Sequence, residues 1–283
     1  IYMIGNAATS AVRGKSGTKS EYAEYYVKIF PVVLTLCVSN NTVCRELYNT
    51  LLFQIIHWFS GVNQVHEDDT LVLVDCLVDG LCGLKSSNSS KRDLCCSGLD
   101  EYFSWCVKQS TKKELSHNSA TNISPVHSMM NRLFVLGSHP SESNRLGAAY
   151  VFARIYKHVR EESALAKLYC VKIIHVLLKA LRLTLTTAAE KSAASPTDAG
   201  GKSSLLCDIV IEAVDKYESI LVHAADESNC DSIFASNSEN VSSQEESFNP
   251  IYPHKLVDLL DWVFDNGIAF PEPFFRRCCM KSF

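Results

Sequence analysis

Residues 45–60 read RELYNTLLFQIIHWFS, and the same pattern returns after Arg92 and after Arg145. The three arginines are 47 and 53 residues apart. At offsets of 7, 10 and 11 after each arginine the chain carries an apolar or aromatic residue, and offsets of this kind share one face of an α-helix. The sequence therefore predicts the same amphipathic helix three times. These positions are Leu52, Ile55 and Ile56, then Leu99, Tyr102 and Phe103, then Phe152, Ile155 and Tyr156, and the tryptophans Trp58 and Trp105 share offset 13.

Each of these helices follows another apolar-periodic segment, so the repeating element is a helix pair. Helix pairs that recur every 40 to 47 residues, with longer steps where loops are inserted, are typical of HEAT and armadillo-like solenoids. One pair cannot cover its own apolar face, and stacking supplies the cover. We therefore predict an all-α fold, an α-solenoid of HEAT/armadillo-like helix pairs. An ordinary helical bundle with three similar helices is the alternative.

The repeat register nominates structural positions rather than reactive ones. Each arginine falls at the start of the second helix of its pair, where it could bind carbonyls or acids of a neighbouring pair. A solvated helix charge is the alternative for each. Glycine at 147, where the other repeats carry leucine, predicts a close helix approach. The predicted structural positions are Arg45, Trp58, Arg92, Trp105, Arg145, Gly147, Phe152 and Tyr156.

The composition agrees with a helical protein. The 283 residues include only 12 glycines and 8 prolines, and 47% of the chain is hydrophobic. A sandwich, a barrel or a doubly wound sheet needs far more turn residues than this. The net charge of −4 argues against a dedicated nucleic-acid-binding domain. We expect no direct nucleic-acid site here.

Four regions follow from the pattern of apolar periodicity. We expect a poorly ordered lead-in over 1–20, helical repeats over 21–226, a polar disordered loop over 227–249, and the start of the next repeat over 250–283. A second polar loop is expected within the repeats, over 186–202. The predicted helices are 21–38, kinked or split at Pro31, and 43–60, capped by Thr42, followed by 69–81, 91–109, 124–136, 142–160, 163–185, 203–225, 254–265 and 273–280.

Reactive and metal-binding patterns are missing from the sequence. The 12 cysteines include no C-x-x-C, and the adjacent pairs Cys95–Cys96 and Cys278–Cys279 diverge on a helix. We therefore expect no metal site and read the cysteines as reduced, mostly buried thiols. Kinase, P-loop, zincin and G-x-S-x-G motifs are likewise missing, so no catalytic residue and no cofactor-binding residue is nominated. His57, His158 and His175 lie in helical patterns and are predicted interface residues. The most apolar stretch is too short to span a membrane.

A resemblance to a known family rests on the order of several short motifs. The run HPSESNRLGAAYVF over 139–152 continues through Ile155–Tyr156 to the REES run at 160–163. Upstream, IHWF at 56–59, LVDG at 77–80 and WCVKQ at 105–109 are similar in kind, as is LVDLLDW at 256–262. Together they resemble the DNA-dependent protein kinase catalytic subunit family of phosphatidylinositol-3-kinase-related kinases, over about 54–265.

The resemblance implies a non-catalytic piece of the long helical-repeat cradle that precedes the kinase domain in a serine/threonine kinase. Such a parent is nuclear and acts in double-strand break repair by non-homologous end joining, with the Ku heterodimer and DNA ends. ATP and magnesium are then expected only in the parent's kinase domain, and no cofactor here. Partners of this segment would be flanking helical repeats of the same chain, with Ku and DNA reached through the parent assembly and no membrane. An independent HEAT/armadillo adaptor that binds peptide or protein partners is the alternative.

Overall fold

The computed structural model describes residues 22–60, 67–82, 89–111, 114–115, 124–194, 205–226 and 256–281. Across these ranges the regular structure is helical and no β-strand occurs, so the predicted all-α helical-repeat fold class is confirmed. In chain order the longer helices are α1 Ala23–Cys37, α2 Thr42–Phe59, α3 Glu67–Leu81, α4 Ser89–Gln109, α5 Pro125–Gly137, α6 Glu142–Glu161, α7 Ser163–Ala194, α8 Leu205–Asp226, α9 Leu256–Val263 and α10 Pro273–Lys281. A π-helical turn, Phe264–Ile268, follows α9 directly.

The first two helices differ from the sequence expectation in small ways. Helix α1 continues through Pro31 without a break, although proline has no N–H to donate to the Val27 carbonyl. Both Val27 and Pro31 lie on the exposed side of the helix. The predicted cap at Thr42 is wrong by one residue. Asn41 is the cap, and its side-chain Oδ1 accepts a hydrogen bond from the Cys44 backbone N–H at 3.1 Å.

Two later segments also differ. Helix α7 was predicted to end at Leu185 but extends to Ala194. Its last residues are rich in alanine with lysine and glutamate, which have high helix propensity even without apolar periodicity. The rest of that predicted polar loop, 195–202, lies outside the described residues, as do the predicted loop at 227–249 and the lead-in at 1–20. Helix α9 ends at Val263, and the side chain of Asn266 donates to the Trp262 carbonyl at 3.1 Å within the π-helical turn.

The described helices form two compact units, one ending at Leu136 and one beginning at Gly137. The predicted division near residue 226 stays a prediction. In the first unit α1 packs on α2 and α3 packs on α4, and the first helices of the two pairs contact each other, as do the second helices. Tyr26, Phe30 and Phe59 form the aromatic core of the first pair, with ring centroids 5.3 to 5.4 Å apart. This is the packing of stacked helix pairs.

The second compact unit is built around α6, α7 and α8, which contact one another. Tyr217 of α8 is buried, and its hydroxyl donates to the Phe152 carbonyl of α6 at 2.9 Å. The thiol of Cys170 on α7 donates to the Tyr217 carbonyl at 3.3 Å. Helices α9 and α10 pack against α7. Within the described part of the chain, no helix is long and apolar enough to cross a membrane.

Candidate functional site

The three repeat arginines occupy one structural position. Arg45, Arg92 and Arg145 are each the fourth residue of their helices, α2, α4 and α6. The helix starts therefore coincide in the register that the sequence predicted, although the helices are 18, 21 and 20 residues long. A common start relative to the arginine is what a repeated helix pair requires.

Two of these arginines bind the turn that precedes their own helix. The Nη1 atom of Arg45 donates to the Ser39 carbonyl at 3.4 Å, and that of Arg145 donates to the His139 carbonyl at 3.0 Å. Both carbonyls lie six residues before the arginine, just past the end of the pair's first helix, where backbone carbonyls lack helical partners. These carbonyl partners lie in the arginine's own pair, whereas the prediction named a neighbouring pair, and Arg145 also reaches the next pair through Thr184. For Arg92, which is half-buried, the residue six positions earlier lies outside the described residues.

Arg145 is the most enclosed of the three, with 1% of its surface exposed. Its guanidinium also donates to the Pro140 carbonyl and, through Nη2, to Thr184 Oγ1 of α7 at 2.9 Å. Burial lowers the pKa of this guanidinium, and the nearby Glu142 carboxylate opposes the shift. The Arg145 side chain thus joins the turn before α6 to the following helix.

The apolar positions of the repeat behave as one buried face. At offsets 7, 10 and 11, eight of the nine side chains are at most 2% exposed, and the ninth, Tyr156, is half-buried. The tryptophans differ, since Trp58 is 36% exposed while Trp105 is half-buried. The shared offset therefore places both indoles on equivalent helix positions but in different surroundings.

Trp105 belongs to a contact between α2 and α4. Its indole N–H donates to Glu101 Oε1 at 2.9 Å, and the same oxygen lies 2.8 Å from His57 Nε2. The His57 and Trp105 rings are 4.9 Å apart, and the Lys108 ammonium lies 5.5 Å from the Trp105 ring centroid. The hydrogen bond from His57 is the largest cause that lowers the pKa of Glu101, and the Trp105 indole adds to it. The prediction that His57 is an interface residue is confirmed.

The remaining nominated positions lie in α6. Gly147 and Phe152 are buried, and the Phe152 carbonyl accepts the Tyr217 hydroxyl described above. The Tyr156 hydroxyl lies 2.9 Å from Ser219 Oγ, and its ring meets the Tyr217 ring edge-on at 5.6 Å. Phe152 and Tyr156 therefore connect α6 to α8.

Buried thiols share the interiors of both compact units. Burial is the largest cause that raises the pKa of Cys37 to about 11 and that of Cys95, Cys106 and Cys170 to about 12. A thiol with such a pKa stays protonated at neutral pH and is a poor nucleophile and metal ligand. Over the residues that the structure describes, no group of three His, Cys, Asp or Glu side chains is arranged to hold a metal ion.

A concave surface with a volume of about 270 Å³ lies among the described helices of the second compact unit. Asp215 of α8 and Arg277 of α10 contribute charged groups to its lining. Its apolar walls come from α7, α8 and α10, namely Leu178, Leu181, Val210, Ile211, Val214 and Phe274. Cys278 of α10 adds a thiol to the lining beside these charged groups, and the apolar walls suit an apolar side chain.

Sequence reasoning missed Thr184, Glu101 and Asn41. A threonine in an otherwise apolar stretch of α7 was the available signal for Thr184, since a buried hydroxyl needs a partner. Nothing in the one-dimensional pattern indicated that its partner is 39 residues away. Glu101 reads as an ordinary solvated helix charge until His57 is placed beside it.

Comparison with known proteins assigns this chain to one family. Residues 21–264 match the sequence profile described as DNA-dependent protein kinase catalytic subunit, CC1/2. The DNA-dependent protein kinase catalytic subunit of Gallus gallus is 32% identical over 224 residues, which cover 79% of this chain and 5% of the relative. That of Dictyostelium discoideum is 27% identical over 293 residues, covering 100% of this chain and 6% of the relative. The Xenopus laevis protein is 32% identical over 193 residues, 68% of this chain and 4% of the relative.

The chain thus spans about one-twentieth of the length of these relatives. Its match lies in a helical region, and the described residues hold the buried repeat faces that such a region needs. The resemblance drawn from the motifs over 54–265 is confirmed and extends to the start of α1. This chain is a helical segment of the DNA-dependent protein kinase catalytic subunit family and belongs to its CC1/2 region.

Proposed function

We propose that this segment is a non-catalytic helical-repeat scaffold of a serine/threonine kinase that acts in double-strand break repair by non-homologous end joining. The observation that carries the proposal is the match of residues 21–264 to the CC1/2 region, and the buried apolar face that recurs at the same offsets in α2, α4 and α6 supports it. Arg45 and Arg145 donate hydrogen bonds to turn carbonyls, and the apolar side chains fill the helix interfaces. The buried thiols stay protonated at neutral pH. The work left for such a segment is to hold other parts of a long chain at set positions.

The mechanism that we propose is mechanical. In the pairs of Arg45 and Arg145 the arginine binds the turn between the two helices, which stiffens the pair. Contacts between pairs include partly exposed side chains such as His57 and Glu101, whose side chains are 44% and 39% exposed. In this proposal a small rotation between neighbouring pairs costs less free energy than a distortion within a pair. Such rotations add up along a repeat array. Such an array flexes when a partner binds at a distance.

In this proposal the segment is part of a longer kinase, the parent protein, whose other regions carry out the catalysis. ATP, magnesium and the catalytic residues belong to a kinase domain elsewhere in the chain. Flanking helical repeats are the direct partners of this segment, while the Ku heterodimer and DNA ends are reached through the whole assembly. The parent works in the nucleus. The names of the relatives support the kinase and the DNA dependence as properties of those proteins.

The test uses the full-length parent protein with Thr184→Val, which removes the hydrogen bond between Arg145 and Thr184. Thr184→Ser, which keeps the hydroxyl, is the matched control. We expect Thr184→Val to keep the kinase activity measured on a peptide without DNA, and to reduce the stimulation by Ku and DNA ends and the efficiency of end joining in cells. Thr184→Ser should behave as wild type. Normal stimulation and normal end joining in a Thr184→Val parent with a proven loss of stability would contradict the scaffold role.

A second candidate, an adaptor that binds peptides, is favoured by the 270 Å³ concave surface of the second compact unit. In that case Val214→Glu, at the wall of the concave surface, would abolish capture of the peptide partner and leave the stimulated kinase activity unchanged. Under the scaffold proposal, Val214→Glu reduces the stimulated kinase activity only if it also lowers the stability of the segment.

A further inference from the structure

The concave surface of the second compact unit has an apolar interior. Helices α8 and α10 both pack on α7, and the concave surface lies among the three. Leu178 and Leu181 of α7 and Val210 of α8 contribute buried side chains to its lining. A cavity of about 150 Å³ accommodates a benzene ring. The 270 Å³ of the concave surface therefore has room for one aromatic or branched side chain together with the groups attached to it.

Two opposite charges border this apolar interior. Asp215 of α8 and Arg277 of α10 both line the concave surface, and both are exposed. Asp215 comes one helical turn after the wall residue Ile211, and Arg277 comes one turn after Phe274, so each charge lies on the same helix face as an apolar wall. Among the residues that the structure describes, neither charged side chain has a hydrogen-bond or ion-pair partner. The two groups are therefore available to a ligand.

Neighbouring charges on the same two helices differ from this pair. Glu212 of α8 already accepts a hydrogen bond from the Lys216 ammonium at 2.6 Å. Arg276 of α10 is exposed and does not belong to the lining of the concave surface. One carboxylate and one guanidinium, on different helices, thus combine exposure with a place beside the apolar walls.

A free α-amino acid with a large apolar side chain is complementary to all three features. Its ammonium group matches the Asp215 carboxylate, and its carboxylate matches the Arg277 guanidinium, which can bind both oxygens at once. Its side chain matches the apolar walls. An apolar residue within a peptide has a neutral backbone and would leave both charges unmatched. An apolar acid or an apolar amine would match one charge and place its own charge near a like one.

We propose that the concave surface is a binding site for a free amino acid with a large apolar side chain, such as phenylalanine or leucine. Asp215 and Arg277 bind its charged groups, and the walls from α7, α8 and α10 bind its side chain. The expected Kd is about 1 mM, because the ligand is small and both ion pairs are exposed to water. The inference goes beyond the scaffold function and does not depend on it.

The test uses the native thiol of Cys278, which lines the concave surface and is half-buried. In the full-length protein, the rate at which iodoacetamide alkylates Cys278 is followed by tandem mass spectrometry, which separates it from the buried Cys279. L-phenylalanine is the probe, and at about 10 mM it should slow the alkylation of Cys278 about fivefold or more. Cys44 of α2, also half-buried, is the internal control, and its rate should not change.

Two analogues and three variants test the roles of the charges. The readout is the probe concentration that halves the alkylation rate of Cys278. 3-Phenylpropionate lacks the ammonium group and phenethylamine lacks the carboxylate, so each should need a concentration about fivefold higher than L-phenylalanine. Arg277→Gln should abolish the preference for L-phenylalanine over phenethylamine, and Asp215→Asn should abolish the preference over 3-phenylpropionate. Arg276→Gln removes a neighbouring exposed charge, is the matched control, and should keep both preferences.

Four results would overturn the inference and leave the scaffold proposal standing. The first is no protection of Cys278 by L-phenylalanine, or equal protection by all three probes, since the charges would then play no part. The second is equal slowing at Cys44. The third is stronger protection by N-acetyl-phenylalaninamide, whose neutral groups imitate a peptide, because it would identify a peptide as the occupant. The fourth is a Cys278 thiol that does not react in the full-length protein without ligand, because another part of the protein would then cover the surface.

Discussion

Arg145 and Thr184 are joined by a buried hydrogen bond, 2.9 Å from guanidinium Nη2 to the threonine Oγ1. The two side chains are 1% and 3% exposed. The threonine hydroxyl in turn donates to the Ala180 carbonyl at 2.9 Å, so its hydrogen is directed away from the arginine and its lone pairs toward it. The hydrogen-bond acceptors of this buried cation are thus a hydroxyl and turn carbonyls. Loss of any one of them would leave a buried N–H group unsatisfied.

Thr184→Val should lower the free energy of unfolding by about 1–3 kcal/mol, because it keeps the side-chain shape and leaves a buried guanidinium N–H without its acceptor. Thr184→Ser keeps the hydroxyl and should cost less than about 1.5 kcal/mol. Urea unfolding of the three proteins measures both values. Equal unfolding midpoints for the valine variant and the wild type would show that water replaces the hydroxyl without loss.

Gly80→Ala should destabilise the first compact unit, because the added Cβ collides with the Cys95 sulfur on α4. The clash should cost about 1–3 kcal/mol, more than the helix propensity that alanine adds. In the double variant Gly80→Ala, Cys95→Ala the sulfur is gone, and the nearest remaining atom, the Cys95 Cβ, is at an ordinary 3.5 Å. A double-mutant cycle by urea unfolding should therefore show a favourable coupling of about 1 kcal/mol or more. Strictly additive effects would rule out this contact.

His175 should make stability depend on pH. Burial first, and the nearby Lys179 second, lower the pKa of His175 to about 4, against about 6.5 for an unfolded histidine. Between these values the unfolded chain binds a proton that the folded chain does not, so stability is full above about pH 6.5 and falls as the pH drops toward 4. The loss reaches about 3 kcal/mol at most.

The check is a series of melting curves from pH 7 to pH 4 on the wild type and on His175→Phe. Phenylalanine preserves an aromatic contact with Trp262, whose ring lies 4.8 Å from the histidine ring. The variant should lose less stability over this range than the wild type does. Parallel pH profiles would exclude His175 as the source.

Gly147→Leu should lower the melting temperature, because Gly147 is buried in α6 and a leucine at a buried glycine position overpacks its surroundings. We expect a loss of about 1–3 kcal/mol, the usual cost of overpacking. Gly147→Ala is the graded control and should cost less than the leucine, since alanine adds one carbon and favours the helix. A leucine variant that melts with the wild type would show that the helix approach at this position is loose.

The periodic part of the molecule was predictable from the chain, and the contacts at a distance were not. Leu52, Leu99 and Phe152 are buried as expected, because a 3.6-residue period in apolar residues is a local property that survives folding. Thr184 escaped prediction because its role depends on an arginine 39 residues away. The end of α7 escaped because propensity, rather than periodicity, extends that helix to Ala194.

The family membership and the repeated helix, with each arginine close to the helix start, were determined by the sequence alone. Only the tertiary structure decided the surroundings of equivalent residues. Trp58 and Trp105 share one repeat position, yet Trp105 packs on His57 while Trp58 is 36% exposed. The physical reason is that the direction of a side chain follows from its own helix, whereas its burial depends on whether another helix lies against that face.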